Sequence, residues 1–214
     1  MAAPRKPVQI LCFRHDTCQP TTQILCLDLP TTCPLCGRPI QTLLHPPFSL
    51  PNPFEDGHSR PFSVVVKPTC GTFLSDYHRS DDLHVGVTSS NGVVFNFDET
   101  GVHKDTAGWE ESITVRLLQE KDFDIRECWD KCLNDYSLYW RPESYDENAN
   151  NCFDFVLGFL RHVGYEYVNT KVLRSRQDFC KTLVIPEGVK AGKYIDLYRR
   201  LEREGFVVES TMGS

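Results

Sequence analysis

The feature that most constrains this chain is a set of cysteine and histidine residues near its N-terminus. Cys33 and Cys36 are separated by two residues, and Gly37 follows them, which lets backbone amides approach the sulfurs of a tight metal-binding turn. His15 and Cys18 repeat the same spacing earlier in the chain. Because two such pairs supply the four ligands of a tetrahedral zinc site, the pattern predicts one zinc ion held by these four side chains.

The surrounding segments predict that this site belongs to a zinc ribbon. Residues 8–13 and 23–29 read as short strands, and each is followed by one of the two ligand pairs. Cys12 or Cys26 could replace His15 as the fourth ligand, although the position of Cys26 within a strand favours a buried, metal-free thiol. A redox-active cysteine pair is the alternative interpretation, but such pairs lie at the start of a long helix. Four side-chain ligands leave no position for water or substrate, so the predicted zinc is structural.

The composition excludes several classes of protein. Of the 214 residues 40% are hydrophobic, which suffices for a buried core, and the net charge of −6 has the wrong sign for nucleic-acid binding. No apolar run approaches the roughly 20 residues that span a bilayer, and the basic N-terminal residues are not followed by the apolar segment of a secretory signal. The ten cysteines are therefore expected to be reduced thiols. We expect a soluble protein of the cytoplasm or nucleus, without a nucleic-acid or membrane partner.

The chain is predicted to contain two domains joined by a proline-rich linker. Residues 1–45 are predicted to form the zinc-ribbon-like domain, and residues 46–61, with five prolines, the linker. Residues 62–214 are predicted to form an α+β domain, an antiparallel sheet packed with helices. Its strands are expected at 62–67, 83–88, 93–98 and 112–118, and its helices at 122–137, 151–163 and 190–204.

A cysteine at a predicted helix start is the first candidate for chemistry in the larger domain. Asn150 and Asn151 are strong helix-capping residues, so Cys152 falls in the first turn of a helix with one apolar face. The helix dipole and the unpaired amides at such a position are expected to lower the pKa of the thiol. The amide of Cys152, together with Asn151, could also stabilise an oxyanion. The structural alternative is that Cys152 is an ordinary core residue of the helix.

The second candidate is a polar pair on the predicted hairpin. His84 and Asn96 lie on strands joined by the Asn-Gly turn at 89–92, nearly opposite one another and among apolar neighbours. A thiol nucleophile needs a histidine to accept its proton and a partner to orient that histidine. If the helix start packs against the hairpin, Cys152, His84 and Asn96 form such a group. The alternative is that His84 is a surface residue or a histidine with a purely structural partner.

The order of these segments resembles that of circularly permuted papain-like enzymes. His84-Val85-Gly86-Val87 followed by Asn151-Cys152 matches the layout of the lecithin:retinol acyltransferase group and of the PPPDE group of deubiquitinases and desumoylases. Asn96 falls where the acyltransferase group has a second histidine, and asparagine orients the histidine in papain. The resemblance implies a permuted papain-like fold with Cys152 as nucleophile, His84 as base and acid, and Asn96 as the residue that orients His84.

Nearly the whole chain also resembles the makorin ring finger protein 2 opposite-strand family. This resemblance rests on Cys33-Pro34-Leu35-Cys36, on the segments 50–54, 82–88 and 91–94, and on Asn151-Cys152. It implies a fold and leaves the activity open. The expected function is a cysteine-dependent hydrolase or acyltransferase acting on a peptide, isopeptide or thioester bond. The alternative is an inactive papain-like fold that binds proteins or peptides; the oligomeric state is not predicted.

Overall fold

The computed structural model describes residues 9–18, 21–40, 43, 45–165 and 172–210. The chain separates into two compact units, one formed by Met1–Asn52 with Lys193–Ser214 and the other by Pro53–Gly192. Each unit contains an antiparallel sheet, and helices are few, so the predicted α+β class is confirmed. Among the residues that the structure describes, no helix has both the length and the apolar character needed to cross a membrane.

The regular elements follow one another along the chain as short strands first and helices later. The strands are β1 (Leu11–Phe13), β2 (Thr22–Cys26), β3 (Phe48–Ser49), β4 (Phe54–Glu55), β5 (Ser63–Pro68), β6 (Leu83–Thr88), β7 (Val94–Asp98), β8 (Gly101–Asp105), β9 (Ser112–Arg116) and β10 (Phe206–Ser210). The helices are α1 (Phe123–Ser137), α2 (Cys152–His162), α3 (Arg176–Phe179) and α4 (Ile185–Glu204), with a π-helical turn at Cys180–Val184 between the last two.

The first unit is a four-stranded sheet in the order β10-β2-β1-β3. Its core is a cluster of buried side chains from β1, β2 and the turn that follows: Phe13, Ile24, Cys26 and Cys33. The last strand, β10, pairs along its whole length with β2, from Phe206 opposite Cys26 to Ser210 opposite Thr22. The sequence prediction assigned residues 193–214 to the other domain, and it placed no strand there. Residue 8, the start of the predicted first strand, lies outside the described residues.

The proline-rich segment 46–61 differs from the linker that the sequence predicts. Its strand β3 pairs with β1, and its strand β4 pairs with β9 of the second unit's sheet. Phe54 in β4 is buried and its ring stacks on that of Phe73, with 4.9 Å between the ring centroids. This apolar contact holds β4 at the edge of the second unit's sheet. The prolines, which donate no backbone hydrogen bond, lie outside the two short edge strands.

The second unit is a six-stranded antiparallel sheet in the order β4-β9-β5-β6-β7-β8. Both faces are buried, because valines alternate onto each side of β5 and β6. On one face, Phe97 of β7 contacts Phe155 of α2, and α2 packs against β6 and β7. On the other face, Val65 and Val94 form a small core cluster with Trp109.

The β6–β7 hairpin positions the polar residues of the site. Its loop is closed by a hydrogen bond from Ser89 N–H to the Val93 carbonyl, and Gly92 adopts a φ of 82°, a left-handed conformation that suits glycine. The ladder pairs Thr88 with Val94 and Gly86 with Asn96, and it ends there. Strands β7 and β8 continue to pair as far as Asp98 and Gly101. Strands β6 and β7 therefore separate beyond Gly86, next to His84 and Val85.

Candidate functional site

The four residues predicted as metal ligands lie together in the first unit. The ligand atoms of His15, Cys18, Cys33 and Cys36 are all within 4.8 Å of one another. The Cys18 and Cys33 sulfurs are 3.7 Å apart, and His15 Nδ1 lies 3.6 Å from the Cys18 sulfur and 3.3 Å from that of Cys36. These residues form a cluster that could hold a metal ion. Thr17 was not predicted; its hydroxyl lies 3.6 Å from the Cys36 sulfur and 3.1 Å from His15 Nδ1.

The electrostatics of this cluster favour a cation. The backbone amide of Arg38 and the hydroxyl of Thr17 lower the pKa of the exposed Cys36 thiol to about 6. Partial burial and the neighbouring sulfurs of Cys33 and Cys36 raise the pKa of Cys18 to about 12. Hydrogen bonds thus stabilise one thiolate, that of Cys36, while its sulfur and that of Cys33 oppose a second thiolate at Cys18, because thiolates at this separation repel one another. A bound metal cation removes that repulsion and lets all the thiols ionise.

The two alternative fourth ligands lie elsewhere. Cys12 and Cys26 are buried in the sheet, and Cys26 belongs to the apolar cluster around Phe13. Burial raises the pKa of Cys26 to about 11, which is typical of an inert core thiol. His15 faces the three sulfurs instead, so it completes the cluster with the other three residues.

The second candidate site is a chain of hydrogen bonds on the face of the second unit's sheet that carries Trp109, opposite the face against which α2 packs. His84 Nε2 lies 2.8 Å from Asn96 Oδ1. The side-chain nitrogen of Asn96 donates to Asp105 Oδ2 over 2.8 Å, and the indole N–H of Trp109 donates to the same oxygen over 3.0 Å. Asn96 lies opposite Gly86 in the ladder, so His84 reaches it diagonally rather than directly across, which the sequence did not predict.

The direction of these hydrogen bonds follows from Asp105. An ionised carboxylate only accepts hydrogen bonds, so the amide nitrogen of Asn96 must point toward Asp105 and its oxygen toward His84. His84 Nε2 must then carry the proton that it donates to Asn96. The other ring nitrogen, Nδ1, is left with a lone pair and can accept a proton.

Cys152 begins helix α2, as predicted, and its sulfur approaches the β6 strand beside His84. The backbone N–H groups of Val85, Phe153 and Cys152 itself donate toward the sulfur. Val85 directly follows His84, and it lies where β6 has separated from β7. The sulfur therefore contacts the backbone of the strand that holds His84, while the His84 side chain lies on the sheet face that carries Trp109, and no hydrogen bond joins the sulfur to the His84 ring among the described contacts. Cys152 is only 6% exposed.

The predicted direction of the Cys152 pKa is wrong. Burial raises the pKa of this thiol above its ordinary value, although the amides of Val85, Phe153 and Cys152 act in the opposite direction. Burial also lowers the pKa of His84, with a further decrease from the Lys67 ammonium; the hydrogen bond to Asn96 and the charges of Asp98 and Asp105 offset part of this decrease. Both shifts favour the neutral forms, a thiol and an imidazole, over a preformed ion pair.

Asn151 has a structural role that the sequence only partly anticipated. Its side-chain oxygen accepts from Phe153 N–H, its side-chain nitrogen donates to the Glu147 carbonyl, and its backbone N–H donates to Asp154. These contacts form a capping box at the start of α2, and Arg176 holds the Asp154 carboxylate from α3. The backbone N–H of Asn151 and one N–H of its side-chain amide are thus engaged within the protein, in contacts that fix the start of α2.

Two residues of the hydrogen-bonded chain were missed by the sequence analysis. Asp105 and Trp109 reach Asn96 and His84 from β8 and the loop after it, and the Trp109 and His84 ring centroids are 5.8 Å apart. The signal that could have found Asp105 is its place on the strand next to Asn96, where alternate residues share a face. Nothing in the local sequence indicates the contact of Trp109.

Comparisons with known proteins agree with the second of the two resemblances seen in the sequence, that to the makorin ring finger protein 2 opposite-strand family. The family model described as DUF4796 C-terminal matches residues 47–201. The human MKRN2 opposite strand protein is 39% identical over 189 residues, which cover 86% of this chain and 84% of the human protein. None of the solved structures matches this chain. The family match and the human relative together show that the chain belongs to the MKRN2 opposite strand protein family, with residues 47–201 as its DUF4796 C-terminal region.

Proposed function

We propose that the second unit is a permuted papain-like domain that acts as a cysteine-dependent hydrolase or acyltransferase. Cys152 is the nucleophile, His84 the general base and acid, and Asn96 the residue that orients His84. The observation that supports this most strongly is the bond between His84 Nε2 and Asn96 Oδ1, because it leaves Nδ1 free to accept a proton. The substrate is a carbonyl compound with a displaceable group, namely a peptide, isopeptide or thioester.

The chemistry follows from the neutral resting forms of the thiol and the imidazole. The Cys152 proton moves to His84 Nδ1 as the sulfur bonds to the substrate carbonyl carbon, and the carbonyl π electrons move to oxygen. The tetrahedral intermediate re-forms the carbonyl and expels the leaving group, which takes the proton from His84. Water, or another nucleophile in an acyl transfer, then gives a proton to His84 and attacks the acyl-Cys152 thioester, which releases the Cys152 sulfur with that proton.

Local donors around Cys152 supply the electrostatic part of the mechanism. The Cys152 amide lies at the N-terminus of α2, where the helix dipole favours negative charge. An oxyanion that forms next to the sulfur can accept a hydrogen bond from this amide. Removal of one such donor typically costs about 10²–10³ in rate.

Site-selective alkylation tests this proposal. The purified protein is treated with limiting iodoacetamide near neutral pH, and the modified cysteines are mapped by mass spectrometry. Cys180 is the matched thiol, because burial raises its pKa in the same direction as that of Cys152. We expect Cys152 to react faster than Cys180, and His84→Ala to abolish the difference while His103→Ala, on strand β8 two strands away, preserves it.

Two results would contradict the catalytic proposal. The first is a Cys152 rate that does not exceed that of Cys180, and the second is a rate that does not respond to His84→Ala. Either would favour the alternative that the domain is an inactive fold that binds proteins or peptides.

We also propose that the cluster in the first unit binds one structural zinc ion. Zinc–sulfur and zinc–nitrogen bonds of about 2.3 and 2.05 Å in a tetrahedron place sulfurs about 3.8 Å apart and sulfur and nitrogen about 3.6 Å apart. The Cys18–Cys33 distance of 3.7 Å and the Cys18–His15 distance of 3.6 Å agree with these values, and the Cys36–His15 distance of 3.3 Å is slightly shorter. Three thiols and one imidazole leave no open coordination position, so zinc would stabilise the fold without taking part in a reaction.

Metal analysis of protein purified without chelator tests the zinc proposal. We expect about one zinc ion per chain. Cys33→Ser should lose the metal because it removes a buried ligand, whereas Cys128→Ser, which changes a thiol on α1, should retain it. The absence of zinc from the native protein, or equal zinc content in both variants, would contradict the proposal.

A further inference from the structure

We infer that Asp105 is a positioning residue that sets the tautomer of His84 through Asn96. This inference rests on the proposed function, in which His84 serves as the base of Cys152. Asp105 touches neither His84 nor the reacting sulfur in the hydrogen bonds described above; it acts through the Asn96 side chain. Its role therefore concerns the orientation of an amide rather than a step of the reaction.

The geometry gives Asp105 control over two alternatives. An asparagine amide can present either its oxygen or its nitrogen to a neighbour, and the two orientations occupy nearly the same volume. With its oxygen toward His84, Asn96 accepts a proton from Nε2 and leaves Nδ1 as the base. With its nitrogen toward His84, Asn96 would donate to Nε2, and Nδ1 would carry the proton. Only the first orientation lets His84 Nδ1 accept a proton from Cys152.

The surroundings of Asn96 favour the orientation with its oxygen toward His84. Asn96 is buried, so an unpaired amide group would be costly there. The nitrogen of Asn96 and the indole N–H of Trp109 both donate to Asp105 Oδ2. The nearly complete burial of Trp109 and the approach of the Lys67 ammonium to within 4.6 Å of its ring hold that donor in place. Asp105 thus accepts from two donors on one oxygen, and both are fixed by their neighbours.

Two substitutions of Asp105 separate its role as an acceptor from the presence of a side chain at this position. Asp105→Asn retains an oxygen that can accept from Asn96 and Trp109, so it should keep the native orientation. Asp105→Ala removes the acceptor and frees the Asn96 amide to turn. A matched control is Asp98→Ala, because Asp98 is a second carboxylate near His84 whose charge raises the pKa of that imidazole in the same direction. Asp98 accepts from His103 and Thr100 and makes no hydrogen bond to Asn96 in the described contacts.

The experiment is a nitrogen-15 NMR measurement of the histidine tautomers in the full-length protein above the pKa of His84. We expect wild type, Asp105→Asn and Asp98→Ala to show His84 protonated at Nε2. Asp105→Ala should show a mixture of the two tautomers, and the Cys152 alkylation rate should fall in proportion to the fraction of His84 that is no longer protonated at Nε2, about twofold for an equal mixture. If Asp105→Ala does not fold, Asp105→Ser removes the carboxylate with a smaller change of volume and is measured in the same way.

Three results would overturn the inference. The first is an unchanged His84 tautomer in Asp105→Ala or Asp105→Ser, and the second is an equal change of the tautomer in Asp98→Ala. The third is a loss of the native tautomer in Asp105→Asn.

The positioning role of Asp105 and the catalytic function fail in different ways. If the tautomer depends on Asp105 while Cys152 alkylation ignores His84, the positioning role stands and the catalytic function fails. If alkylation depends on His84 while the tautomer ignores Asp105, the catalytic function stands and the positioning role fails.

Discussion

Replacement of Gly86 by alanine should destabilise the second unit. A Cβ atom at this position would lie 2.6 Å from Val94 Cγ1, 3.0 Å from the Phe95 carbonyl oxygen and 3.3 Å from the Trp109 ring. Val94 and Trp109 are buried and belong to one core cluster, and the carbonyl oxygen is a backbone atom, so none of these atoms can move away without disturbing the packing. Gly86 thus leaves the space that the Val94 side chain and the Trp109 ring occupy against the hairpin.

The expected size of the effect follows from two opposing contributions. An added methyl group in a well-packed core costs about 1–3 kcal/mol. Alanine also restricts the unfolded chain more than glycine does, which favours the folded state and offsets about 0.4–1 kcal/mol of that cost. This gain applies here because Gly86 does not require a positive φ. We therefore expect Gly86→Ala to lower the free energy of unfolding by roughly 1–2 kcal/mol.

Urea unfolding followed by tryptophan fluorescence measures this change in the second unit alone. All three tryptophans of the chain, at positions 109, 129 and 140, lie within Pro53–Gly192. Gly188→Ala in α4 is the control, because a Cβ there meets nothing within 4 Å and the substitution should stabilise the helix by about 0.4–1 kcal/mol. A Gly86→Ala protein at least as stable as wild type would refute the close packing of Val94 and Trp109 against Gly86.

Two further predictions concern the same unit. Asn151→Ala should lower the free energy of unfolding of the second unit by about 1 kcal/mol, because the side-chain acceptor of Phe153 N–H at the start of α2 is lost. Asn148→Ala in the preceding loop is the control. Equal stability of the two variants would contradict the capping role of Asn151. Burial lowers the pKa of His84, so the folded state binds fewer protons than the unfolded state as the pH falls below about 6.5. The free energy of unfolding should therefore decrease as the pH is lowered through that window, more steeply for wild type than for His84→Gln. Urea unfolding at several pH values measures this free energy, and an identical dependence on pH in the two proteins would contradict the burial of a neutral imidazole.

Local signals in the sequence predicted the β6–β7 hairpin well. Strands expected at 83–88 and 93–98 are found at Leu83–Thr88 and Val94–Asp98. The detail of the turn could not be predicted, because an Asn-Gly pair suits several loop lengths. The observed loop places Asn96 opposite Gly86 rather than nearly opposite His84, a shift that keeps both polar side chains on one face. His84 and Asn96 meet for that reason.

Features that depend on residues far apart in the chain could not be predicted from the sequence. Strand β10 pairs with β2, and the two are separated by most of the chain, so no local pattern indicates their register. The raised pKa of Cys152 has the same kind of origin. A helix start alone predicts a lowered pKa, but burial against β6 outweighs the helix amides, and burial is a property of the folded structure. In contrast, the metal-binding cluster was predictable because its ligands follow a short, fixed spacing.

The central proposal, that Cys152 and His84 act as a pair, is tested most directly by a titration of His84. Nitrogen-15 NMR spectra of the histidine side chains are recorded against pH for wild type and for Cys152→Ala, with His103 in the same spectra as the internal control. If the Cys152 sulfur faces His84 Nδ1, its removal should shift the Nδ1 resonance and the pKa of His84, while the His103 resonances are the same in both proteins. Superimposable His84 titrations in the two proteins would contradict the pairing.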